Sequence, residues 1–410
     1  MRLRLSIRII RGDEFRLIPL FGCQEKRMKK NNQMKPGNSA KRLLAFFIAL
    51  TMCITMQPAV PVKAEAMQTA AKTIYTEFKG GNLTHSGDGS YGNPYNLFED
   101  AYAAASDGDE ISILGDGAFL NAEYTEPFIF DKSVTINGNG NVFSNRKGGV
   151  ILNADVTFEN VKLRFSNRLH DAIFANGHKL VFQDVTGDEG FRYVDIFGGS
   201  LYENGTNMGD RPGSDAQILI TGGGTNLGNI YAGAMNGNYD GNTQIVLEHV
   251  SGTQNGEIYA SGAKEPYVNL DSLFDMQEPD PPAANESYSV SGNVEISLKD
   301  SDTKQVYGVS ADHAANTFLT MDTDQTYTGI PSVSKVGNLT VKGGGTFAPA
   351  ALDSCAVSLK EASAIDLSGM ENPQVNSIAS ADATGNRLIL DKAQMLKVTD
   401  TITGALTFET

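Results

Sequence analysis

The sequence predicts an all-β solenoid, a stack of similar coils, and three observations carry that prediction. A short apolar triplet returns along the chain: Ile111-Ser112-Ile113, Val134-Thr135-Ile136, Val156-Thr157-Phe158 and Leu180-Val181-Phe182, with third residues 23, 22 and 24 positions apart. A fixed period in the twenties is the mark of stacked units, each burying its apolar face against the next. The composition agrees: 43 Gly, no Trp and only 20% charged residues fit many short strands joined by tight turns. Finally, one amphipathic helix precedes the first triplet and then gives way to strands.

Residues 1–66 read as a leader. Twelve of their thirteen Lys and Arg come first, followed by the apolar run Leu43–Met56 and the small-residue site Ala64-Glu65-Ala66. Basic, apolar, small is the order of a secretory signal peptide, and the run is short for a membrane span. Cleavage after Ala66 would leave a chain of net charge −24, because the leader holds 13 of the 33 basic but only 4 of the 48 acidic residues. That charge argues against nucleic acid and anionic membrane as partners and fits a secreted or cell-surface protein. Cys355 is then the one remaining cysteine, so neither an intramolecular disulfide nor a cysteine metal cluster is expected.

Residues 67–110 read as an N-terminal cap. Ile74-Tyr75 starts a strand, and Ser86–Pro94 is rich in turn residues. Pro94 suits a first helical position with Asn93 as N-cap, and Leu97, Phe98, Ala101, Ala104 and Ala105 share one helix face. Such a helix would cover the open end of the first coil. The residues Gly87-Asp88-Gly89-Ser90, Asn93-Pro94-Tyr95 and Gly108-Asp109-Glu110-Ile111 resemble the start of right-handed parallel β-helix proteins of the pectate-lyase-like superfamily. More closely, they resemble β-helix regions of secreted or wall-associated adhesin-like proteins of Gram-positive bacteria. The resemblance spans roughly 74–400 and implies a right-handed parallel β-helix solenoid with an N-terminal capping helix. It does not choose a function, since that superfamily includes lyases, hydrolases, esterases and non-enzymatic binders.

The β-helix is expected over 111–410. Further triplets follow at Ile218-Leu219-Ile220, Ile245-Val246-Leu247, Ile296-Ser297-Leu298 and Leu339-Thr340-Val341. The turns Asn137–Asn141, Glu159-Asn160 and Asp184–Gly187 invite either side-chain stacking of Asn from coil to coil or left-handed turn conformations. A second repeat, Ile196-Phe197, Ile230-Tyr231, Ile258-Tyr259 and Val306-Tyr307, is followed by Gly and Ala and implies a second strand per coil with a tight corner. The acidic, proline-rich stretch 264–289 reads as a loop projecting from the coil. The last residues, Leu406–Thr410, have the pattern of mid-strand, which points either to further domains beyond residue 410 or to a frayed end.

Two candidate sites emerge. Asp184, Asp188, Glu189 and Asp195, with Arg192, have the residue types of a calcium site beside a basic group, as polysaccharide lyases of this fold use, and carboxylate pairs serve glycoside hydrolases. The same residues occupy a turn, where Asp and Glu serve backbone geometry. Phe197, Tyr231, Tyr259 and Tyr307 would form an aromatic ladder about 4.8 Å per step if their coils stack in register. Facing outward, the ladder could meet sugar rings; otherwise it is packing. The five histidines read as surface or coil-end residues, and no cofactor is expected. The expected function is a non-enzymatic adhesin-like stalk or module binding glycan or a host or surface protein, with a carbohydrate-active lyase or hydrolase as the alternative.

Overall fold

The structure, a computed structural model, describes residues 71–410 apart from 79–83, 117, 121–126, 146–148, 166–171, 189–193, 212, 225–226, 251–255, 264–287, 304, 309–315, 328–331, 354, 382–384 and 393. The leader, Glu189, Arg192, His170, His313 and nearly all of the proposed loop lie outside the described residues.

The chain is a parallel β-helix. Every triplet lies in one 13-stranded, wholly parallel sheet that runs from Thr73–Thr76 to Ile402–Thr403. Its strands alternate: Ile218 and Ile220 face in while Leu219 and Thr221 are half-exposed, and Ile245/Leu247 and Ile296/Leu298 repeat the pattern directly above them. Period-2 alternation with one buried face fixes the register. The triplet search overlooks one strand here, Thr317–Asp322, which pairs with Val294–Lys299 on one side and Asn338–Lys342 on the other. It also misplaces the first step by two residues, since Ile111 pairs with Ile136 and Ile113 does not.

A second, nine-stranded parallel sheet runs from Phe128–Phe130 to Ala351–Leu352 and contains the Ile-aromatic repeat. Third-side strands complete the coil near both ends, for example Val142–Asn145 and Lys162–Phe165 early and Thr346–Phe347 and Ala364–Asp366 late. Among the described residues the middle coils show the two strands expected from sequence, and the outer ones show three. The interior is one continuous apolar column in which Phe130, Phe143, Phe158 and Phe182 are each no more than 1% exposed.

At the corner after five successive long-sheet strands the backbone turns left-handed. Asn160 (φ 46°), Asp184 (φ 53°), Gly222 (φ 63°), His249 (φ 54°) and Asp300 (φ 43°) occupy successive levels of this corner. Each N–H there donates to the carbonyl one coil on, as in Asn160 to Gln183 (2.8 Å) and Asp184 to Thr221 (2.9 Å). Asn and Asp tolerate this conformation best among non-glycine residues, which explains their place in the turns. Asn139, also left-handed, donates its amide to Ser112 Oγ (2.8 Å) and Ile113 O (3.2 Å) rather than to another amide.

The cap helix is shorter than expected. It spans Phe98–Ala104, preceded by Leu97 with no side-chain cap. Asn93 and Pro94 lie in a turn closed by Asn93 N–H to Ser90 O (3.1 Å), and Tyr95 bonds to Tyr75 and Glu77 as a strand would. Those backbone bonds hold the segment extended and delay the helix. Phe98 enters the first coil against Phe128, Phe130 and Phe143 at 4.8–6.2 Å, so the helix closes the apolar end. Tyr102 anchors it, its hydroxyl donating to Asp131 Oδ1 (2.7 Å) and accepting the Lys132 N–H (2.9 Å).

Cys355 is fully buried, and burial, with Asp353 adding to it, pushes its thiol up to about 12. A protonated, enclosed thiol is inert. Iodoacetamide at pH 8 should leave Cys355 unmodified in the native chain and label it fully in urea; native labelling would contradict this packing.

Candidate functional site

The nine-stranded sheet has an inner and an outer face, and the outer face is unusual. Ile196, Ile230, Ile258 and Val306 point into the core, paired in register. Their neighbours Phe197, Tyr231, Tyr259 and Tyr307 therefore point out. The rings stack at 4.6 Å, 4.9 Å and 4.8 Å with planes 11°, 11° and 12° apart. Phe174 extends the ladder by one step at 5.2 Å, and Ile151 precedes it in register. Sequence reasoning missed both, although Ile173-Phe174-Ala175-Asn176-Gly177 carries the same signal as Ile258-Tyr259-Ala260-Ser261-Gly262.

The ladder is not uniformly open. Phe174, Phe197 and Tyr231 form a second apolar cluster with Leu201, Met235 and Ala263, and are 0%, 1% and 4% exposed. Leu201, Met235 and Ala263 bridge one another in parallel and wall in this part of the ladder. Gly198, Gly233 and Gly262 make that wall possible: a Cβ on Gly233 would lie 2.5 Å from Gly262 N. A hairpin, Tyr202–Glu203 with Thr206–Asn207, turns on left-handed Asn204-Gly205 and brings Met208 onto the same cluster. Tyr259 and Tyr307 are only half-buried.

A polar column runs beside the rings, two residues earlier in each strand: Asp195, Asn229, Glu257, Gln305 and Ser332. Asp195 Oδ1 accepts the Asn229 N–H (2.7 Å), Asn229 Oδ1 accepts the Glu257 N–H (2.9 Å), and Gln305 Nε2 donates to Ser332 Oγ (2.9 Å). The column also holds the phenols. Asn229 Nδ2 donates to Tyr231 Oη (3.2 Å), Tyr259 donates to Glu257, and Tyr307 donates to Gln305. Burial pushes all three phenols up, most strongly for Tyr231 and Tyr259, and the Glu257 carboxylate adds to the shift in each. The phenols therefore stay neutral at physiological pH, Tyr259 and Tyr307 as donors and Tyr231 as the acceptor from Asn229.

The acidic candidates do not converge among the described residues. Asp184 is exposed at its left-handed corner. Asp188 pairs with Arg164 (Nε to Oδ2, 2.5 Å). Asp195 belongs to the polar column on another side of the coil. No group of three or more metal-ligating side chains occurs among the described residues. Of the described histidines, His178 is the buried one, its Nε2 3.2 Å from Asp210 Oδ1 and Nδ1 3.7 Å from Asp155 Oδ1; His85 meets Asp100 at 2.8 Å on the cap.

No family model matches the chain, and neither does any curated protein or solved structure.

Proposed function

We propose that this chain is a non-enzymatic, exported, adhesin-like β-helix protein that binds glycan through the outer face of its nine-stranded sheet. The observation that carries the reading is the outward aromatic ladder bordered by a hydrogen-bonding column. The run of outward apolar residues from Ile151 to Tyr231 is packed beneath Leu201, Met235 and Ala263, and it leaves Tyr259 and Tyr307 as its half-exposed rings. Rings that supply apolar area beside amide and carboxylate groups suit a ligand with both apolar faces and hydroxyls. Export rests on the basic, apolar, small order of residues 1–66. Kinship with the pectate-lyase-like superfamily, and a Gram-positive cell surface as the setting, rest on the cap motif and the stacking of parallel sheets behind it.

The test is adhesion of the chain from residue 67 onward to a glycan array and to whole cells. Binding should appear on both, and periodate treatment of the cells should remove it. Adhesion that survives periodate and falls with protease shaving would move the ligand to a surface protein. A silent array together with no adhesion to cells would overturn the reading.

A further inference from the structure

The ladder is slip-stacked, so an inner ring has its two faces against its neighbours and shows solvent chiefly an edge. A sugar has no flat face to rest on at Tyr231 or Tyr259. Tyr307 differs. Among the described residues it stacks on Tyr259 alone, and its register mate one coil on is Ser334. One coil further, Asp353 follows Leu352, the register mate of Val333, and so shares the outward column. After its five rings the column therefore continues with a serine and then a carboxylate. Coils repeat every ~4.8 Å, so Tyr307 and Asp353 lie about two steps apart in this column, and among the described residues Ser334 is the column member between them.

Resting on the glycan reading above, we propose that this gap is a monosaccharide subsite, in which a pyranose takes the place of the next ring. Its apolar face lies on Tyr307, its hydroxyls meet Ser334 Oγ and the Asp353 carboxylate, and Ser332 borders it. Asp353 is exposed, and its Oδ2 accepts the Lys335 N–H at 3.2 Å, which fixes the loop carrying it. This polar rim favours a polyol over an aromatic side chain from a partner protein, because an aromatic guest would cover Ser334 and Asp353 without giving them hydrogen bonds. Charge narrows the class further. The aromatic and polar columns from Ile151 to Asp353 contain Asp195, Glu257 and Asp353 but no Lys or Arg. The subsite accepts neutral and amino sugars and rejects uronates and other anionic sugars.

Saturation-transfer NMR on the chain from residue 67 tests this with methyl β-glucoside, methyl β-glucosaminide and methyl β-glucuronide as probes. The first two should receive saturation and the third should not. Ser334→Tyr fills the gap with a further ring, so it should weaken binding at least about tenfold while the melting temperature holds or rises. Asp353→Asn should selectively weaken the amino sugar, and Tyr91→Ser, at an exposed tyrosine on the cap, should change nothing. If Ser334→Tyr binds array glycans as well as the wild type, the subsite is overturned and glycan binding elsewhere on the chain stands. If N-acetyltyrosinamide binds and the sugars do not, the polyol assignment is overturned. If the wild type binds no glycan in either assay, both proposals fall.

Discussion

Phe158→Ala is expected to cost about 3–5 kcal/mol, the range for deleting a fully buried phenylalanine without collapse of the cavity. Phe158 is 1% exposed at the centre of the early coils. Its ring meets Phe182 edge-on at 5.5 Å and Phe130 edge-on at 6.1 Å, and lies tilted against Phe143 at 6.3 Å. These residues come from three different coils, and their backbones are tied by parallel ladders on both sides. The coil walls therefore cannot close on the vacancy. Urea denaturation should show the loss. Hydrogen exchange gives a sharper test, because a solenoid couples each unit mainly to its neighbours. Exchange should accelerate from about residue 128 to 183 and stay slow in the coils after 316. Uniform acceleration would mean that the whole stack unfolds as one unit.

Much of this architecture is legible in the sequence, and the failures have physical causes. The triplets reveal the long sheet because its strands alternate around a one-sided core. Thr317–Asp322 escapes because the outward residue Phe318, 38% exposed, breaks the apolar-polar contrast on which such a search depends. The two-residue slip at Ile111 is invisible to pattern reading, since a shift of two leaves every side chain on its own face. Third-side strands such as Val142–Asn145, buried along their whole length, have no alternation to detect. At the corners, Asn and Asp do signal left-handed turns, which is the role the structure gives Asp184.

The candidate site was half legible. The Ile-Tyr repeat points to a stack, but two adjacent apolar residues do not say which of them faces the core. The polar column has its own signal in the sequence: Asp195-Ile196-Phe197, Asn229-Ile230-Tyr231, Glu257-Ile258-Tyr259 and Gln305-Val306-Tyr307 all read polar, aliphatic, aromatic. Read as one pattern, they move Asp195 from a supposed cation cluster to the flank of the ladder, two residues from a ring on the same face. Calcium chemistry looks for nearby carboxylates in sequence, whereas a solenoid brings together residues one coil apart.

Tyr231→Ala should be nearly as damaging as the core lesion, about 3–5 kcal/mol by the same rule for buried rings, although Tyr231 lies outside the coil. It is 4% exposed, sandwiched between Phe197 and Tyr259, and enclosed by the wall that includes Met235. Removing it breaks two stacking contacts and opens a gap in the second apolar cluster. Tyr231→Phe keeps the ring and loses only the bond from Asn229, worth about 1 kcal/mol. Tyr307→Ala removes one stacking contact from a half-buried ring at the open end, so its stability cost should be the smallest of the three ring deletions, with Tyr259→Ala between them. Thermal melts of this series measure the ladder as packing, and glycan binding by the same proteins measures it as a site. Stability should fall most for Tyr231→Ala, whereas binding should fall most for Tyr307→Ala among variants that remain folded. If binding instead follows stability across the series, the ladder serves only to hold the sheet together.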